Sequence, residues 1–159
     1  MATIYHPKKT TTKLLEGAIG GLIGGVVVAL IMLVADLLLR DGKWYFTPSL
    51  IGSLVKGTAA ENTYQFLPKR YLIGAIIHFV IFAIVGVGLV QYLPIFRRFK
   101  IQPMLAGALY GAIIWLFIFF IFLNSFKPDI NHYMDQYALF IANVVGGAAI
   151  GWWIHRQNA

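Results

Sequence analysis

Uncharged, strongly apolar stretches recur four times along the chain, from about Gly17 to Leu39, Tyr71 to Leu93, Met104 to Leu123 and Tyr137 to Ile154. At 1.5 Å of rise per residue, a helix of roughly 20 residues crosses the roughly 30 Å hydrocarbon layer of a bilayer. Lipid offers no partner for backbone N–H and C=O groups, so runs this long and continuous must be helices. The alternation of a membrane β-barrel is missing. The pattern therefore predicts an all-α fold: an integral membrane four-helix bundle, with residues 1–159 forming a single membrane domain.

Between the first two spans, the segment Arg40 to Arg70 is too apolar for a plain linker. Thr47-Pro48 reads as a helix start, with Thr47 as N-cap and Pro48 in the first helical position. Leu50, Ile51, Leu54 and Val55 then share one face, and Gly57 supplies a stop. These features predict a short interfacial helix over about residues 48–56. It is expected to lie along the outer membrane surface with Trp44, Tyr45 and Phe46 at headgroup level, a re-entrant segment being the alternative.

Composition agrees with a chain that shares its core with lipid. Hydrophobic residues make up 59% and charged residues 12%, against about one quarter charged in ordinary soluble domains. The net charge of +7 does not indicate nucleic acid. The Lys and Arg residues sit in short clusters beside the apolar runs, and no basic groove with interleaved aromatics is visible. With no cysteine, disulfides, thiolate metal sites and a cysteine nucleophile are excluded. The apolar run after Lys8, Lys9 and Lys13 is too long for a signal-peptide core and lacks a small-residue cleavage pattern, so the first span is expected to be retained.

Positive charge sets an expected orientation. Lys8, Lys9 and Lys13 precede the first span and Arg97, Arg98 and Lys100 follow the second, whereas the third loop has Lys127 against Asp129 and Asp135. Both termini are thus expected in the cytoplasm of a bacterial-type inner membrane. Arg40, Lys43, Lys56, Lys69 and Arg70 run against the rule, since they fall in the outer loop.

Small residues form stripes: Gly17, Gly21 and Gly25 with Gly20 and Gly24 in span one, Gly107 and Gly111 in span three, Gly147 and Gly151 in span four. Such spacing lets helix backbones approach closely where lipid gives no hydrophobic drive for association. Packing within the bundle is the expected use. Span one, with glycines on more than one face, is the best candidate for contact with a foreign helix.

Intramembrane polar residues are scarce and therefore informative. Asp36, His78 and Asn143 all fall in the outer half of the proposed topology, where they could form one buried cluster with Asp36 accepting from His78. The plainer arrangement has Asp36 reaching the interface beside Arg40 while His78 and Asn143 bond neighbouring backbone. As a cofactor ligand, His78 could serve haem only if His132 reached inward as the second axial group, His155 lying at the other membrane face. A chlorin pigment would need His78 alone among Phe79, Phe82 and Trp115. Proton relay lacks titratable groups in the inner half. Hydrolytic and metal chemistry lack their motifs, because Ser49, Ser53 and Ser125 have no nucleophile elbow and the six acidic residues never cluster. No enzyme is expected.

Trp44, Tyr45, Tyr64, Tyr71, Trp152 and Trp153 sit where interfacial anchors belong. The run Gly74–Phe82 partly repeats in Gly111–Phe119, a faint internal similarity. Asp36, then Phe46-Thr47-Pro48-Ser49-Leu50-Ile51-Gly52, then Tyr71, His78-Phe79, Phe82 and Gly86, resembles a group of small uncharacterised four-helix integral membrane proteins of bacteria. The resemblance covers the first half of the chain, to about Gly88. It brings no activity, but implies that Asp36, Thr47, Pro48, Gly52 and His78 form one recurring unit.

The expected role is a non-catalytic accessory subunit of a larger membrane complex, with bound lipid and other integral membrane subunits as partners. Electron-transfer and photosynthetic complexes are the setting where such subunits occur. The rival expectations are a cofactor-binding protein using His78 and a small transporter or channel formed by self-association.

Overall fold

A computed structural model describes residues 10–56, 63–126 and 128–158. Gly57, expected to end the short helix, lies outside the described residues, as do Lys8, Lys9 and Lys127. The elements are α1 (Thr10–Leu39), α2 (Phe46–Lys56), α3 (Pro68–Arg98), α4 (Pro103–Leu116) continued by a π-helical stretch (Phe117–Leu123), the short α5 (Asn124–Phe126) and α6 (Pro128–Tyr133), and α7 (Gln136–Asn158). Four of these helical segments are long and apolar enough to cross a membrane, and the expected short helix stands between the first two. Helix α1, with 30 residues, measures about 45 Å. It begins ahead of the apolar run because its first turns, with Lys13 and Glu16, extend past the hydrocarbon.

Glycine seams set the order of the helices. Gly17 and Gly21 of α1 lie against Gly86 and the Phe82 carbonyl of α3, while Gly24 lies against the Gly146 carbonyl and Ile150 of α7. Gly107, Gly111, Gly147 and Gly151 bring α4 and α7 together, with Gly107 and Gly147 facing one another's carbonyls. Helix α1 is thus central, and the order is α3, α1, α7, α4. The glycines of α1 on both faces are consumed inside the chain. That corrects the expectation of a foreign contact there: two faces of small residues are needed because α1 has two neighbours. The start of α1 and the end of α7 lie together, since Gly20 meets Trp153.

Each spanning helix also keeps an outward apolar stripe, such as Leu30, Val34 and Leu37 on α1 and Ile76, Val80 and Ile84 on α3. These residues recur every three to four positions, the helical period that presents one face to lipid.

The seams differ in tolerance. A methyl group at Gly21 would overlap the Phe82 backbone, whereas one at Gly20 would press on the Trp153 side chain, at 3.0 Å, and meet the Ile150 carbonyl only at an ordinary contact distance of 3.7 Å. Backbone cannot retreat without parting the helices, but an indole can turn. Gly21→Ala is therefore expected to destabilise by about 1–3 kcal/mol and Gly20→Ala by less than about 1 kcal/mol. Paired thermal unfolding of the two variants in one detergent checks the difference.

Helix α2 departs from the expected geometry. It starts at Phe46, so Thr47 is inside the helix rather than its cap. Its Pro48 carbonyl abuts Gly74 and its Gly52 abuts the Arg70 carbonyl, so a step of four along α2 matches a reverse step of four along α3. The helix runs antiparallel along the start of α3 instead of lying flat on the membrane. The reason is the small residue on each helix, which permits backbone contact. Phe46, Ser49, Leu50 and Ser53 are fully buried. The sharp reversal ahead of α2 uses Asp41 and Gly42 with φ of 52° and 76°, the left-handed region that glycine enters without penalty.

The π-helical stretch is the other difference, since the sequence predicts regular helix there. Its wider turn places Phe119 and Leu123 against Phe46 and Leu50 of α2, with Ile130 of α6 completing a second small core.

Candidate functional site

Helices α3 and α4 sit at opposite ends of the helix order. They approach where Tyr110 reaches Gly88 and its ring lies 6.0 Å from that of Tyr92. Toward the start of α3 and the end of α4 they diverge, and α2 enters the gap. Beneath α2 remains a cavity of about 520 Å³, within the range of about 300–1,000 Å³ typical of small-molecule sites. Pro48, Ile51 and Leu54 roof it; Ala75, His78, Phe79 and Phe82 form one wall; Trp115, Ile118, Phe119 and Phe122 form the other. Val28 and Met32 of α1 and Leu139 and Asn143 of α7 close the back. The two stretches of the faint internal similarity thus face each other, His78 aligned with Trp115 across the space. The glycines that align with them, Gly74 and Gly111, both touch a neighbouring backbone, but on different partners.

The three intramembrane polar residues find separate partners. Asp36, 2% exposed, accepts the Thr47 backbone N–H at 2.8 Å and the Thr47 hydroxyl at 3.0 Å. Its carboxylate therefore caps the start of α2 from across the turn, the role the sequence assigned to Thr47, and suits the positive end of the helix dipole. Arg40 lies 3.7 Å from Asp36, donates to the Tyr133 carbonyl and stacks over the Phe46 ring at 4.0 Å. One ion pair thereby ties α1, α2 and α6. Asp36 is buried beside Arg40 rather than extended to the interface.

His78 Nε2 lies 2.9 Å from the Gly25 carbonyl. A carbonyl only accepts, so Nε2 carries the proton and donates. The bond pins α3 to α1 where Gly25 leaves room for it. Asn143 donates from Nδ2 to the Leu139 carbonyl of its own helix at 2.8 Å. No hydrogen bond joins Asp36, His78 and Asn143, so the polar cluster does not form, although His78, Asn143 and Thr47 all border the cavity.

For cofactor binding the arrangement is demanding. An axial bond through Nε2 would break the Gly25 bond, leaving Nδ1 as the available ligand atom. His132, the other haem candidate, is exposed on α6. Among the described residues no three His, Cys, Asp or Glu side chains gather in metal-binding arrangement. Replacing His78 with Ala is expected to cost about 1 kcal/mol, the value of one interhelical hydrogen bond in a membrane bundle. Thermal unfolding of His78→Ala beside Phe79→Ala separates that loss from lost ring packing.

Arg70 was not legible as a buried residue. It reads as a surface charge at the end of a loop, yet it is 5% exposed, and its Nε and Nη1 have no hydrogen-bond partner among the described residues. The available signal was its spacing of four from Gly74, which places it on the seam with α2. Ser49 on α2 is also fully buried with an unpartnered hydroxyl. Comparison of the chain with protein-family models, curated proteins and solved structures gives no match.

Proposed function

We propose that the protein is a non-catalytic accessory subunit of a larger membrane complex, seated in a bacterial-type inner membrane with both termini in the cytoplasm. The observation that carries the reading is the use made of its polar side chains. Asp36 caps a helix, His78 pins two helices, and Asn143 bonds its own backbone. Each therefore serves the architecture, and none is held ready beside a partner acid, base or nucleophile as group-transfer chemistry needs.

Outward apolar stripes on every spanning helix leave ample surface for unlike helices as well as lipid. Extraction in mild detergent, followed by a native gel and mass spectrometry, tests this. Migration with unlike integral membrane subunits is expected, electron-transfer and photosynthetic complexes being the first to inspect. A lone monomer would overturn the proposal, as would a homo-oligomer that conducts ions after reconstitution. A reporter fused after Ala159 checks the orientation, with cytoplasmic activity expected.

A further inference from the structure

Arg70, whose Nε and Nη1 have no hydrogen-bond partner among the described residues, and the nearby cavity define a site of one kind. Nε and Nη1 of Arg70 lack an acceptor, and no ion pair to it occurs among the described residues. A buried guanidinium without counter-charge is strongly disfavoured unless an anion joins it. Its stem rests against Gly52 of α2. The adjoining residues on both helices, Ile51 and Tyr71, already line the cavity. Arg70 itself does not line the cavity, but it adjoins in sequence the lining residue Tyr71, at the end marked by Trp44 and Tyr71.

From that rim the apolar space extends along α3 from Tyr71 to Phe82. Eleven helical steps cover roughly 16 Å, close to half of the roughly 30 Å hydrocarbon layer, which is the depth of one leaflet. A buried cation adjoining a slot one leaflet deep matches an anionic amphiphile. We propose that this crevice holds one acyl chain of an anionic phospholipid, whose headgroup phosphate pairs with Arg70. The guanidinium turns from the α2–α3 seam toward Tyr71 and binds phosphate through two N–H groups, as its planar fork favours. This site stands independently of the subunit reading, since it concerns the chain's own lipid.

The test uses the full chain in detergent with added phosphatidylglycerol or phosphatidylcholine carrying identical chains, read by native mass spectrometry. The wild type is expected to retain phosphatidylglycerol about tenfold better. Arg70→Gln should lose that preference, Arg70→Lys should keep most of it, and Ala75→Phe should lose retention of both lipids by filling the slot. If Arg70→Gln does not fold, Arg70→Lys and Ala75→Phe carry the test. Equal retention of the two lipids by the wild type would overturn the proposal. So would displacement by inorganic phosphate alone, an unchanged preference in a folded Arg70→Gln, or undiminished lipid retention in Ala75→Phe.

Discussion

Replacing Gly147 with Leu abolishes the folded bundle. The α-carbon of Gly147 faces the Gly107 carbonyl and lies close to Gly111, so any side chain there overlaps the backbone of α4. The reciprocal position is equally closed, because Gly107 faces the Gly147 carbonyl. Neither helix can yield by a change of rotamer. Separation of α4 from α7 would forfeit close backbone contact along the seam, where Gly151 also meets the Pro103 carbonyl and Gly111 the Asn143 carbonyl. Even Gly147→Ala should cost about 1–3 kcal/mol by overpacking, and leucine more than a bundle of ordinary stability of about 5–15 kcal/mol can spare once the seam opens. Gel filtration of Gly147→Leu should show aggregate in place of a monodisperse peak, with Gly147→Ala remaining folded at a lower unfolding temperature.

Asp36→Ala carries the second large effect. The substitution strands three groups at once: the Thr47 N–H, the Thr47 hydroxyl and the Arg40 guanidinium. Most of the cost comes from the buried Thr47 N–H and hydroxyl, each left without its acceptor at about 1–3 kcal/mol. Asp36→Asn keeps a carbonyl oxygen for the Thr47 N–H and should lose much less. The partition between partners is also predictable. Thr47 lies at true hydrogen-bond distances, while Arg40 at 3.7 Å is partly exposed. A double-mutant cycle should therefore give a larger coupling for Asp36 with Thr47, about 1.5–3 kcal/mol, than for Asp36 with Arg40, about 1 kcal/mol or less. Equal couplings would mean that charge, not capping, holds the start of α2.

The four spans were readable because hydrocarbon imposes one demand, a long uncharged run that satisfies its own backbone. The short helix was readable from Thr47-Pro48 and the face of Leu50, Ile51 and Leu54. Its attitude was not, because a face of Leu and Ile is equally suited to lipid and to protein. The deciding signal was the pair Gly52 and Gly74, which matters only once α2 and α3 are known to be neighbours. Asp36 stood out as a lone acid in an apolar run, but its partner depended on the turn at Asp41-Gly42 bringing Thr47 back beside it. Likewise, Gly20 and Gly24 were visible as a second small face, yet nothing local distinguishes a second neighbour in the same chain from a foreign helix. Arg70 was misplaced for the opposite reason: charge next to Pro68-Lys69 reads as solvent-facing, and only the tight seam with α2 buries it.

The central structural claim is that α1 lies between α3 and α7, with α3 and α4 parted by the cavity. The chain has no cysteine, so pairs can be introduced on a clean background. Gly25→Cys with Phe82→Cys places the two β-carbons within disulfide reach, and Gly20→Cys with Ile150→Cys sets the new β-carbon 3.4 Å from where the Ile150 side chain now stands, on the other face of α1. His78→Cys with Trp115→Cys spans the cavity. Under mild oxidation in native membranes, the first two pairs should cross-link rapidly and the third should not. Cross-linking across the cavity as fast as at the two glycine seams, or failure of the Gly20–Ile150 pair, would contradict the arrangement.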